Sequence, residues 1–346
     1  MKVSRFPENP IVRPHMDARM GDNVNGPSLI RVPDWIERPL GRYYLYFAHH
    51  DGRYIRLAYA DDLHGPWRTH EPGVLPLADS HFGGHIASPD VHVDEERRQI
   101  RLYYHGAENP SGTGGKGGGG GPQYSRVAVS RDGLRFEAGE ELLGKPYMRA
   151  FQWDGWTYAM GMPGVMYRSR DGLTGFEEGP TLFASTMRHT ALKLDGECLS
   201  VFYTHAGDCP ERILLSTIQL TSDWQTWTAS EPVPVLEPEL EYEGGHLPLE
   251  PSKRGLVMGP VRQLRDPAQR QQDQGGDRVQ RDRTARRVPH VPRAPGRDVE
   301  HQQRRALGRA GGRSLRRTFG FQGERRRRAL RFGRGCRCLG RRRTHL

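Results

Sequence analysis

Tyr43-Tyr44-Leu45-Tyr46-Phe47-Ala48, followed by Arg56-Leu57-Ala58-Tyr59-Ala60-Asp61-Asp62-Leu63, is the phrase from which the fold can be read. It is an aromatic, apolar strand, a turn, a second strand and an Asp-centred turn. The phrase returns as Arg101–His105 with Arg126–Gly133, as Thr157–Gly161 with Val165–Gly172, and as Leu199–His205 with Ile213–Thr217. Strands of this length, bounded by Gly, Pro and Asp, indicate antiparallel β-structure. No long segment shows helical periodicity. A two-strand unit that cannot bury its own face must stack on copies of itself. Sheets repeated around an axis form a β-propeller, which places its ligand where the inner strands converge.

The repeats set the expected blades. Blade one is expected to hold strands at 28–32, 43–48 and 55–59, with an outer edge at 74–77. Blade two runs from Ile86 to about Leu143, blade three from about Pro146 to Ala184, and blade four from Arg188 to Leu236. A Pro- and Glu-rich linker at 237–252 follows. A fifth inner strand begins at Val261-Arg262-Gln263-Leu264-Arg265-Asp266-Pro267-Ala268, and there the pattern stops.

Composition changes at the same place. The chain has 346 residues and a net charge of +11. Residues 1–266 carry 28 Lys plus Arg against 35 Asp plus Glu, whereas residues 267–346 carry 24 Arg, no Lys and 6 acids. Those last residues also lack Ile, Asn, Met, Tyr and Trp. Arg, Gly, Ala and Pro have GC-rich codons, so a frameshift near Pro267 explains the change. A genuine disordered basic tail that binds phosphate backbones is the alternative, and a folded second domain is a third. The segment is too poor in aliphatic residues to build a core. The division is therefore a β-propeller over 1–268 and an Arg-rich tail over 269–346. Nucleic acid is a partner only if the tail is genuine.

No segment approaches the length of a membrane span, and the start shows no secretory signal. The four cysteines make no disulfide framework. A cytoplasmic setting is the default. The Gly-rich run 111–122 has no following Lys-Ser or Lys-Thr helix start, so it is expected to be a flexible loop between two strands of blade two rather than a phosphate cradle, with a lid over the site as the functional alternative.

Several motifs resemble the five-bladed β-propeller glycosidases and glycoside phosphorylases, a group that includes glycoside hydrolase families 43, 32 and 130. They are Asn9-Pro10-Ile11-Val12-Arg13-Pro14, the Tyr43–Ala48 strand and the Ser-Arg-Asp-Gly turns at 130–133 and 169–172. Ser88-Pro89-Asp90-Val91 and Arg265–Ala268 complete the set. The resemblance covers roughly residues 5–268. It implies an all-β, five-bladed propeller, with the fifth blade disrupted here, and a carbohydrate in the central funnel.

Glycosidases need two carboxylates flanking the scissile bond. The resemblance places them at the starts of inner strands, with a Glu in blade four. Those starts read Asn25-Gly26-Pro27-Ser28, Ser88-Pro89-Asp90, Met148-Arg149-Ala150, Arg188-His189-Thr190 and Asp266-Pro267. Asp90 and Asp266 alone are acidic, so the three-carboxylate pattern is not met and the enzyme is atypical. Asp90, His189 and Asp266 are the catalytic candidates. Histidines at the ends of second strands (His49, His50, His105 and His205) join Asn25, Arg149 and Arg188 as substrate-binding candidates. Recurrence in three blades suggests that the histidines face one centre.

Three chemistries suit such a ring. Converging imidazoles can hold a divalent metal, the single cofactor candidate. A His with an Asp partner can move protons. Arg149 and Arg188 can clamp a carboxylate or sulfate on a sugar. The linker also offers Glu243 and Glu250 as substitutes for the missing acid, against the reading of an exposed acidic linker. The tryptophans Trp67, Trp224 and Trp227 follow Asp-containing turns and are expected to pack between blades. Trp153 and Trp156 flank an Asp154-Gly155 hairpin turn. A non-catalytic glycan-binding propeller is the rival to the enzyme.

Overall fold

Among the described residues, sixteen strands form four separate antiparallel sheets, each four strands wide. Blade one holds β1 (Asn25–Arg31), β2 (Tyr43–Ala48), β3 (Tyr54–Ala60) and β4 (Arg68–Pro76). Blade two holds β5 (Ile86–Asp94), β6 (Gln99–Ala107), β7 (Gln123–Ser130) and β8 (Glu137–Ala138). Blade three holds β9 (Arg149–Trp153), β10 (Trp156–Gly161), β11 (Val165–Ser169) and β12 (Glu177–Thr181). Blade four holds β13 (Met187–Asp195), β14 (Cys198–His205), β15 (Ile213–Gln219) and β16 (Val233–Leu236). This is a computed structural model, and it describes residues 3–49, 52–108, 121–255, 259–265 and 267. All of these lie in the unit Met1–Val279.

Each sheet is a meander whose first strand packs on the first strand of the next sheet. The Ser28 hydroxyl of β1 accepts the Val91 N–H of β5 at 2.9 Å, and the Asp90 carboxylate of β5 accepts the Ala150 N–H of β9 at 2.7 Å. The apolar core follows the same order. One cluster joins Ile30, Tyr46 and Leu57 of blade one to Ile86, Ile100 and Leu102 of blade two. A second joins Tyr103 and Val127 to Ala150 and Tyr167 of blade three. A third joins Phe151, Tyr158 and Met166 to Val201, Leu214 and Trp227 of blade four. Trp67, Trp224 and Trp227 are buried, as the repeat suggested. Trp224 lies against Gly179, where a Cβ would come within 2.4 Å of its ring, so it packs between blades three and four.

The Ser-Arg-Asp-Gly turns have a physical role. Asp132 accepts the N–H groups of Leu134 and Arg135, and Asp171 those of Leu173 and Thr174, at 2.8–2.9 Å. Each aspartate also accepts its own motif's serine hydroxyl. The glycines sit at φ +72 and +70, where a side chain would be strained. Their carbonyls accept a buried tyrosine hydroxyl from the preceding blade. Tyr46 donates to Gly133 at 2.9 Å, and Tyr103 to Gly172 at 2.7 Å. Polar turn and aromatic strand are two halves of one inter-blade clasp.

The outer strand of blade one begins at Arg68, earlier than expected, because pairing with Tyr59 starts there and continues through an irregularity to Pro76. For the fifth blade, residues 261–265 offer one parallel bridge, Gln263 to Glu211, with Leu264 N–H donating to Glu211 C=O at 2.9 Å. Asp266, His50, most of the Gly-rich loop and the basic tail lie outside the described residues.

The linker differs from an exposed acidic strap. Glu243 is 8% exposed, and its carboxylate accepts Arg5 Nε at 2.6 Å and Arg5 Nη2 at 3.0 Å. Arg5 also reaches Glu237 O and Glu239. On the other side, Phe6 packs on His64, and Glu8 bonds His64 at 3.0 Å. The N-terminal segment thus ties blade one to the linker beyond blade four. Glu243 is spent there and is not a substitute funnel acid.

Candidate functional site

The starts of the inner strands are irregular in a repeated way. Register shifts fall at Asn25/Ser28, Ala87/Asp90 and Arg188/Ala191. Within them Gly26, Ser88 and His189 have φ of +59, +49 and +54. A bulge re-aims side chains where a strand approaches a site. Positive φ at Ser88 and His189 is backbone strain that the surrounding structure must hold. A Cβ on Gly26 would lie 2.7 Å from the Ser88 Cα, so the inner strands of blades one and two touch here.

Arg149, at the start of β9, links three inner strands. Its Nε donates to Thr190 O at 2.8 Å, and its Nη1 donates to Ser88 O at 3.0 Å and Met148 O at 3.2 Å. The residue is 4% exposed, and its Nη2 is buried without a hydrogen-bond partner among the described residues. Aromatic and imidazole rings line the same region. His105 stacks on Tyr147 with centroids 4.2 Å apart, and meets His85 edge-on at 5.9 Å. Tyr147 meets His189 at 5.3 Å.

Beside His189 lies a carboxylate that the strand-by-strand reading missed. Glu211 precedes β15 and is 0% exposed. It accepts Arg188 Nε at 2.8 Å and Nη2 at 2.6 Å, Thr204 Oγ1 at 2.7 Å and Arg265 Nε at 2.8 Å. His189 Nδ1 is 3.7 Å from Glu211 Oε1 and 3.3 Å from Thr204 Oγ1. Burial pushes the Glu211 carboxyl up, but the His189, Arg188 and Thr204 contacts and the Arg188 charge outweigh it and bring it to about 2. Blade four therefore does carry a buried acid, on its third strand's approach rather than on its inner strand.

Among the other candidates, Asp90 joins its own inner strand to that of blade three. It bonds His92 Nε2 at 2.7 Å as well as Ala150 N–H. Burial raises its carboxyl, while His92, Arg149 and the Ala150 N–H more than offset this and hold it below the ordinary range. Arg188 is not a free clamp. Beyond Glu211, its Nη1 donates to Lys253 O at 3.1 Å. Asn25 Oδ1, at the start of β1, is buried without a hydrogen-bond partner among the described residues. His49 Nε2 lies 3.8 Å from Asp22.

The three-blade equivalence of the histidines is off by one residue. His105 opposes Ala87, whereas His205 opposes Met187 and it is Thr204 that opposes Arg188. Neighbouring strand residues point to opposite faces, so Thr204, not His205, is the blade-four counterpart of His105. His205 bonds Thr186 at 3.0 Å and packs edge-on to Tyr203. Among the described residues, no group of three or more His, Cys, Asp or Glu side chains is placed to hold a metal ion. Among these residues, no helix is long and apolar enough to cross a membrane.

The opposite ends of the inner strands open into a cavity of about 670 Å³, lined by residues that include Arg31, Arg97, Arg101, Trp153 and Trp156. None of the described candidates lines it: Asn25, Asp90, Arg149, Arg188 and His189 belong to the starts of inner strands, and His49, His105 and His205 to the ends of second strands.

No protein-family model matches the chain. Among solved structures, it is similar to family 43 glycoside hydrolases. A β-xylosidase/α-arabinofuranosidase from a compost microbial metagenome aligns with a TM-score of 0.44 and 15% identity, over 61% of this chain and 78% of that one. An endo-1,4-β-xylanase from Bacteroides thetaiotaomicron gives 0.45 and 14%, over 62% and 75%. A family 43 enzyme from Xanthomonas citri gives 0.44 and 14%, over 61% and 74%. A curated relative is 35% identical over 305 residues, covering 77% of this chain and 83% of the relative. On that match, the chain belongs to the family of the uncharacterized protein R118 of Acanthamoeba polyphaga mimivirus.

Proposed function

We propose that this is a carbohydrate-active, glycoside hydrolase-like propeller that takes a sugar bearing an anionic substituent at the starts of its inner strands. The observation that carries this is Arg149 Nη2, a guanidinium nitrogen buried among three blades with no hydrogen-bond partner among the described residues. A buried donor left unmade is costly, and a carboxylate or sulfate oxygen satisfies it with a charge-assisted bond. The His105, Tyr147 and His189 rings beside it offer apolar faces and polar edges to a sugar. In this reading His189 moves the proton, with Asp266 and Asp90 as the remaining acidic candidates. Asn25, His49, His50 and His205 are candidates for outer contacts.

A binding-only propeller is the second reading, and one observation favours it. Both described carboxylates near the inner-strand starts, Glu211 and Asp90, are held ionised by their partners. Neither is a protonated acid ready to donate to a leaving group at neutral pH.

One panel separates the readings. The full chain is titrated with matched neutral, uronic and sulfated oligosaccharides, and assayed on the corresponding aryl glycosides. Tighter binding of the anionic members, lost in Arg149→Gln and partly kept in Arg149→Lys, is the expected result. A charged hydrogen bond of about 1.5–3 kcal/mol makes the loss roughly 10- to 100-fold. Turnover supports the enzyme, and binding without turnover the rival. Binding of neutral but not anionic sugars removes the proposal.

A further inference from the structure

Arg149 begins β9 and Trp153 ends it, about 13 Å away at about 3.3 Å per residue. Around Trp153 the far ends of β1, β5 and β9 border the cavity of about 670 Å³. That volume falls within the roughly 300–1,000 Å³ of small-ligand sites. Its floor is charged and buried. Arg101 is 2% exposed, and its Nη1 donates to Asp171 O at 2.6 Å and its Nη2 to Asp94 at 2.5 Å. The Arg101 Nε is buried with no hydrogen-bond partner among the described residues. On the wall, the Arg170 guanidinium lies 3.4 Å from the centre of the Trp156 ring, and that of Arg168 lies 4.1 Å from it. Stacking orients a guanidinium without using its in-plane N–H groups. Acceptors stand at the rim. Glu96, Gln152 and Asp154 line the cavity and are exposed. Among the described residues, their side chains make no hydrogen bond or ion pair.

These groups select a class of ligand. Four arginines and five acids line the cavity, so it has no excess positive charge to draw an anion. That separates it from the strand starts, where Arg149 has a nitrogen to spare. A hydroxyl both donates and accepts, so a polyol can bridge a guanidinium and a carboxylate set side by side. Trp153 and Trp156, both half-buried, add apolar surface for the C–H faces of sugar rings. We propose that the cavity is a second carbohydrate site, taking an uncharged oligosaccharide segment at the end of the inner strands opposite Arg149. It holds a chain rather than cleaving one. The site does not depend on the anionic-sugar reading of the strand starts.

The test titrates the full chain with neutral hexasaccharides of β-1,4-linked xylose, glucose and mannose, read by calorimetry and tryptophan fluorescence. At least one should bind. Arg170→Gln combined with Asp154→Asn, both at exposed positions, should weaken it roughly 10-fold. Asn suits the left-handed backbone at 154, where φ is +49. Glu96→Gln, also exposed, should weaken binding in the same direction and serves if the double variant folds poorly. Arg149→Gln should leave neutral binding unchanged. Binding by none of the three sugars overturns the proposal, and so does binding that Arg149→Gln removes and the cavity variants leave intact. Tighter binding of sulfated or uronic hexasaccharides that the cavity variants abolish would overturn the neutral class. The two sites fail separately. Anionic binding lost in Arg149→Gln speaks only for the strand starts. Neutral binding that survives Arg149→Gln and falls in the cavity variants stands even where no anionic sugar binds.

Discussion

Replacing Glu211 by Gln tests the central ion cluster most directly. The change keeps the side chain's size and removes the charge that neutralises Arg188 and Arg265. Breaking a buried pair by removing one partner costs about 3–5 kcal/mol. A second route gives a similar figure. The carboxyl is drawn from an ordinary 4.5 to about 2, which at about 1.4 kcal/mol per tenfold is about 3 kcal/mol at neutral pH. Burial works against this drop, and the contacts from His189, Arg188 and Thr204 bring it about. Because the folded value lies below the unfolded one, the stabilisation is fully present above pH 4.5 and fades as pH falls toward 2. Denaturant unfolding of wild type and Glu211→Gln at pH 7 and pH 3 reads it. The other carboxylates titrate alike in both chains and cancel in the difference. A gap of about 3 kcal/mol at pH 7 should shrink to about half of that at pH 3. A gap below about 1 kcal/mol at pH 7, or one that is the same at both pH values, would refute the reasoning.

Other perturbations follow from the same structure. Gly26→Ala combines a left-handed backbone with a Cβ 2.7 Å from the Ser88 Cα, so it should cost more than about 2 kcal/mol. Gly21→Ala has a similar φ and open space, and thermal unfolding should show it costing less than half as much. Arg5→Ala removes both bonds to Glu243, with an expected loss of about 1.5–3 kcal/mol. Protease cleavage ahead of β1 should quicken with it; an unchanged cleavage rate would mean that the clasp does not hold the segment. Deleting 269–346 removes 24 Arg against 6 acids from 267–346. Salt-sensitive DNA retention should vanish with that segment while sugar binding stays, and DNA retention by the shortened chain would contradict this.

The sequence and structure agree where the physics is local. Tyr43–Ala48 and its relatives are strands because their pattern suits a half-buried pleated surface. The Asp154-Gly155 turn has the two positive φ values its sequence suggests. The Ser-Arg-Asp-Gly turns were visible as motifs, but their tyrosine partners, 69 and 87 residues away, were not. Register was harder to read. One extra residue in each bulge shifts the pairing, so histidines that look equivalent by position in a strand end fall on opposite faces. Glu211 was hidden for a related reason. It stands before β15 in Cys209-Pro210-Glu211-Arg212, outside any strand, and its surroundings come from Arg188, Thr204 and a distant Arg265. The one local cue was an acid placed immediately ahead of an apolar strand. Arg149 and Arg188 were recognisable as a pair, yet only geometry separates the saturated guanidinium from the one with a nitrogen to spare.

The tyrosine–glycine clasps also have a direction. In each described case the donor belongs to the earlier blade and the acceptor to the later one. During synthesis Tyr46 waits until Gly133 has left the ribosome, and Tyr103 until Gly172. Blades two and three therefore each lock the one made before, and over this part of the chain assembly runs from the N-terminus like a ratchet whose last tooth is always unset.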